Sequence, residues 1–107
     1  MFRCEWQGFD GDWFSGCRWG DREAANAAAA RWNADGYTTR IMELADVLLA
    51  TARRRTISAR REANQQGIAV EDARKAIHKL SRQGKIYMTG SNKRPYRGAI
   101  DGDYRAV

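Results

Sequence analysis

One proline, one histidine and two cysteines are all that this 107-residue chain holds of those types, and each scarcity excludes a class of protein. Structural zinc needs four ligands of suitable spacing, whereas residues 1–37 offer only Cys4 and Cys17 and no histidine, so no metal is expected. His78 stands apart from both cysteines. With Ser81 three residues on as its only companion, it does not make a nucleophile–base pair, and no enzyme activity or cofactor is expected. No apolar run approaches the roughly 18 residues of a membrane span, and the opening FRCEWQGFDGDW is too polar for a signal peptide. A cytoplasmic protein without membrane contact is the expectation. Internal repeats and phosphate-loop glycine spacing are missing too.

Charge is what the chain does have, and it is unevenly spread. Residues 1–37 hold four Arg against six acids, a balance of −2, while residues 38–107 hold fifteen Lys and Arg against seven acids, a balance of +8. A basic half of this kind most often meets phosphate. Gly36-Tyr37 separates the halves without a Pro/Ser-rich linker. The expected organisation is an N-terminal unit over 1–37 and a second unit over 38–107.

In the first unit Phe2, Cys4 and Trp6 alternate with polar residues, as does the run from Trp13 to Trp19, with Asp10-Gly11 between them. A two-residue turn there predicts a hairpin in which Trp6 faces Ser15 and Cys4 faces Cys17; buried thiols are expected in a reducing cytosol, and the pairing would permit a disulfide after purification in air. Asp21 is the expected N-cap of a helix whose stripe is Ala25, Ala28, Ala29 and Trp32, ended by Gly36. That helix is expected to lie on an aromatic face of Phe2, Trp6, Trp13 and Trp19. This ββα unit resembles a small zinc finger that lacks its ligands.

From Thr39 the run TRIMELADVLLATARR reads as a helix with Ile41, Leu44, Ala45, Leu48 and Ala52 on one face. Met42, Val47 and Leu49 widen its apolar surface and are on offer either to the ββα unit or to a second copy in a homodimer. Ser58 caps a second helix, ARREANQQ. Gly67 turns the chain, and a third helix from Val70 to about Gln83 buries Val70, Ala73, Ile77 and Leu80. Its other face carries Glu71, Arg74, Lys75, His78, Lys79 and Arg82. GKIYMTG and YRGAI read as two strands, with Ile86 and Met88 facing inward, around a tip with Lys93, Arg94 and Arg97, and the closing DGDYRAV as a loose end. The expected fold is α+β, a winged helix-turn-helix preceded by a β-hairpin and helix.

Ser58 to Ile86 resembles the winged-helix DNA-binding domains of the gluconate-repressor type, through Gly67-Ile68, Arg74, Ala76-Ile77, Leu80 and Gly84-Lys85-Ile86. The resemblance implies that Arg60 and Arg74 contact phosphate or bases. The chain departs from the family at Val70-Glu71-Asp72, where the family has Arg and small hydroxyl residues. Acids suit a helix N-terminus but repel phosphate. The expected function is a small DNA-binding transcriptional regulator of bacterial, phage or mobile-element type, with Arg60, Arg74, Lys75, His78, Lys79, Arg82, Lys93, Arg94 and Arg97 on double-stranded DNA. RNA is the other polyanion such a surface fits. The acidic helix start and the tryptophans motivate the alternative, a winged helix used as a protein-binding inhibitor or adaptor.

Overall fold

Alternating Phe2, Cys4 and Trp6 with Arg3, Glu5 and Gln7 gives strand β1 (Phe2–Gln7). In the computed structural model, which describes residues 1–89 and 102–107, β1 is the middle of three antiparallel strands. β2 (Trp13–Ser15) takes one edge and β3 (Thr39–Glu43) the other. Helix α1 (Arg22–Ala34) packs on β1 and β3. Then come α2 (Leu44–Ala52), α3 (Ala59–Gln66), α4 (Val70–Arg82) and an antiparallel pair, β4 (Ile86–Met88) with β5 (Tyr104–Ala106). The fold is α+β, and the chain divides into two units, Met1–Leu44 and Ala45–Val107.

The first hairpin does not have the expected register. Gly8 N–H donates to Asp12 O at 2.8 Å and Gly11 N–H to Gly8 O at 3.1 Å, so the loop is three residues, Phe9 to Gly11. Gly11, at φ +89, takes the left-handed position that closes such a loop. Trp6 therefore pairs with Phe14 and not Ser15, and Gly16, not Cys17, bonds back to Cys4 O at 2.9 Å. Both cysteines are free thiols. A one-residue slip exchanges the faces of β2. Phe14 joins the face that meets α1, and Trp13 goes to the other.

The helix expected from Thr39 begins only at Leu44. Residues 39–43 pair with β1 from Trp6↔Thr39 to Phe2↔Glu43, and Thr39 caps no helix. Ile41 is thereby drawn into the first unit, against Cys4, Ala28 and Ala29. Asp21 caps α1 as the sequence predicts, accepting from Ala24 N–H at 2.7 Å, and the alanine stripe lets α1 approach the sheet closely. Trp32 stacks on Trp6 with centroids 5.0 Å apart, and its Nε1 donates to Gly16 O at 2.9 Å. Trp13 and Trp19 do not receive the helix. On the opposite face Arg40 lies over Trp13 and Arg3 over Trp19, and both arginines bond the buried Glu5 carboxylate at 2.8 and 2.7 Å.

In the second unit, Ser58 Oγ accepts from Arg61 N–H and starts α3, and Gly67 ends it at φ +66. A side chain at that angle is strained, which is why glycine serves as the turn. α3 and α4 pack together, burying Ala59, Glu62 and Ala63 from one and Ala73, Ile77 and Leu80 from the other; Val70 is half-buried. Glu62 is 0 % exposed, yet it is fully paired: Arg55 grips its two oxygens at 2.9 and 3.0 Å.

Candidate nucleic-acid interface

Residues on an α-helix advance by about 100°, so positions 71, 75, 78 and 82 share one line. On α4 that line is Glu71, Lys75, His78 and Arg82, all exposed, and it lies opposite the buried Ala73 and Leu80. Arg74 flanks it on one side and Lys79 on the other. The charges follow the helix dipole, with Glu71 and Asp72 in the first turn and Lys79 and Arg82 in the last. Glu71, Arg74, Lys75, His78 and Arg82 together line an open hollow of about 320 Å³. The Glu71 carboxylate bonds the Arg74 guanidinium within it, with side-chain exposures of 68 % and 23 %. One acid is thus set among cations, on a helix face about 16 Å long.

The helix is held from behind. The aliphatic face of α4 rests on α3, and the Arg55–Glu62 pair ties α3 to the segment before it. That segment carries Ile57, whose backbone exchanges two 2.8 Å hydrogen bonds with Tyr104 on β5. β5 in turn pairs with β4, in register Ile86↔Ala106 to Met88↔Tyr104. Burial raises the Tyr104 phenol above its ordinary pKa, as expected for a side chain used as core.

Of the residues expected to bind, five cluster as read: Arg74, Lys75, His78 and Arg82 line the hollow, and Lys79 borders their row. Arg60 is exposed on α3 but does not line the hollow. Lys93, Arg94 and Arg97 lie outside the described residues, as does YRGAI. Two features of the hairpin differ from expectation. The partner of β4 is Tyr104–Ala106, taken from the stretch read as a loose end, and Met88 is exposed where it was expected to face inward. A three-residue strand is too short for alternation to reveal.

That missed strand adds surface. Tyr87 and Arg105 are cross-strand partners, and both are exposed. A second hollow of about 270 Å³ is lined by Leu49, Arg53, Lys85, Ala106 and Val107. Sequence reasoning assigned none of these cations to binding: Lys85 leads into an expected strand, and Arg53 and Arg105 lie at the end of the expected helix and in the expected loose end. Among the described residues no three His, Cys, Asp or Glu side chains gather as a metal site, and no helix is long and apolar enough to cross a membrane. Compared with protein-family models, curated proteins and solved structures, the chain matches none.

Proposed function

We propose that this protein binds double-stranded DNA with α4 in the major groove, as a small transcriptional regulator whose second unit is a winged helix. The observation that carries the reading is the outward row of α4, where Lys75, His78 and Arg82 stand together opposite a wholly apolar back. A major groove about 12 Å wide admits one helix. A helix lodged there sets such a row between base edges and two lines of phosphate. The balance of +8 in residues 38–107 acts in the same direction. The winged-helix arrangement is supported by the order of parts: α2, the Ile57 bridge, α3, a glycine turn, α4, then two antiparallel strands of which the second bonds back to Ile57. Arg105, exposed on the second of those strands beside Tyr87, adds a further outward cation to this unit.

Duplex RNA is a poorer fit, because its major groove is deep and too narrow for a helix. The protein-adaptor reading has less behind it. Trp6 and Trp32 pack on each other, and Trp13 and Trp19 are covered by arginines, so none is left as an unoccupied interface anchor.

The test is fluorescence anisotropy on duplex DNA, with duplex RNA as competitor, across a salt series. A protein that seats about four cations on phosphates loses roughly a hundredfold in affinity between about 50 and 200 mM salt, and each of Lys75→Ala and Lys79→Ala lowers the salt slope by about one. Affinity independent of salt, or RNA outcompeting DNA, overturns the proposal.

A further inference from the structure

Glu71 is out of place on a surface meant only for phosphate. Two acids occupy the first turn of α4, and either serves the helix dipole. Asp72 is turned to the flank and half-buried, whereas Glu71 stands on the outward row, in the hollow that Arg74, Lys75, His78 and Arg82 share. A carboxylate there weakens attraction to every phosphate nearby. It gains only where the duplex offers it a hydrogen-bond donor, and in the major groove donors lie on base edges: cytosine N4 and adenine N6.

The neighbouring side chain decides between the two. Adenine N6 sits beside the acceptor N7, which opposes a carboxylate, while cytosine N4 has no acceptor next to it on its own base. Across the pair, guanine shows two acceptors, O6 and N7, and these suit an arginine. The Glu71–Arg74 ion pair therefore sets an exposed acceptor beside a guanidinium that is 23 % exposed, and the two groups match in kind the donor and acceptors of a C·G pair read across the groove. The bond between them uses Glu71 Oε1 and Arg74 Nη1, and a carboxylate has a second oxygen with which to accept. Both residues lie in the N-terminal half of α4, the part of a recognition helix that approaches base edges.

Resting on the DNA reading above, we infer that Glu71 is the specificity-determining residue of this surface, selecting cytosine through N4 while Arg74 takes the paired guanine. Lys75, Lys79 and Arg82 then supply affinity that does not depend on sequence.

The experiment is selection of bound duplexes from a randomised pool with the full-length wild type, Glu71→Gln and Glu71→Ala, followed by anisotropy on the selected duplex and on versions with single base-pair changes. The wild type selects a fixed C·G pair and loses roughly tenfold to a hundredfold when that pair is exchanged for A·T. Glu71→Gln moves the preference to adenine, since an amide offers both a donor and an acceptor. Glu71→Ala flattens the preference to within about twofold and binds random duplex more tightly than the wild type, with an unchanged circular dichroism spectrum. A Glu71→Ala protein that selects the same pair with the same penalty overturns the assignment and leaves the DNA reading standing. A wild type that retains no duplex at low salt overturns both.

Discussion

Arginine does opposite things in the two units. In Met1–Leu44, Arg3 and Arg40 lie flat over Trp19 and Trp13 with Glu5 between them, and Arg22 covers Phe2. Their charge is neutralised or masked, and their planar faces act as packing. In Ala45–Val107 the pattern separates: Arg55 is built in against buried Glu62, while Lys75, Lys79 and Arg82 stand outward on one helix. The cores differ likewise. One rests on alanines under a stack of Trp6, Trp32, Phe14 and Tyr37, the other on aliphatic residues such as Leu48, Ile57, Ile77 and Leu80. Net charge therefore locates a polyanion surface only after the arginines engaged in packing are set aside.

The largest effect expected from breaking that contrast is in the aromatic stack. Trp32→Ala removes the ring that meets Trp6 and Tyr37 and the indole N–H that donates to Gly16 O. Such truncations cost about 3–5 kcal/mol, and the half-buried position of Trp32 puts this one near the lower end. Urea unfolding followed by circular dichroism measures it, and Trp32→Phe, which keeps most of the ring contact and loses the hydrogen bond, costs about 1 kcal/mol. Equal losses for the two variants would show that the hydrogen bond, not the stack, is what stabilises this unit.

Next in size is the difference between an arginine that pairs a buried acid and one that pairs an exposed acid. Arg55→Ala leaves the Glu62 carboxylate buried and unpaired, at a cost of about 3 kcal/mol, the lower end of the range for broken buried pairs because Arg55 is itself partly exposed. Arg74→Ala removes an i,i+3 partner of an exposed acid, an ion pair worth about 0.5 kcal/mol or less, and costs less than Arg55→Ala. On the proposed DNA reading their effects on binding run the other way: below the unfolding midpoint Arg55→Ala binds normally, while Arg74→Ala loses about tenfold on the selected duplex. Unfolding midpoints and anisotropy on both variants check this. Two similar profiles would dissolve the distinction.

How much of this was legible in the sequence follows from where local signals are strong. The caps Asp21 and Ser58, the glycine stop at Gly67 and the apolar spacing of Ala73, Ile77 and Leu80 each act within one or two turns of chain, and α1, α3 and α4 form where they predict. Thr39–Glu43 was misread because Ile41, Leu44, Ala45 and Leu48 fit a helical period. What makes 39–43 a strand is the bare edge of β1, a partner more than thirty residues away. The hairpin slipped for the opposite reason. Asp10-Gly11 is a good two-residue turn, but Asp10 Oδ1 accepts from Asp12 N–H at 3.2 Å and Gly11 closes a three-residue loop, a choice decided by geometry the dipeptide alone does not encode. In the candidate site, the helical row was readable from periodicity, and the Tyr87–Arg105 pair was not, since its strands are three residues each.

The smallest effect at neutral pH is carried by two buried acids, one in each unit. Burial, with Cys17 beside it, pushes the Cys4 thiol from its ordinary 9.0 up to about 11, and burial likewise raises the Tyr104 phenol above 10.0. A folded pKa above the unfolded one means that the folded state holds its proton more tightly. The stabilisation is fully present below the unfolded value and is lost as pH climbs through the folded one. For Cys4 the loss begins near pH 9 and runs to about 11; for Tyr104 it starts higher. Urea midpoints under a thiol reductant at about pH 7, 9 and 10.5 should therefore hold steady to pH 9 and then fall. Cys4→Ala removes the lower window, so its midpoint falls less between about pH 9 and 10.5 than that of the wild type, and the remaining decline belongs to Tyr104. If the variant and wild type decline in parallel, the thiol of the first unit is not buried in the way its contacts with Ala28, Ala29 and Ile41 require.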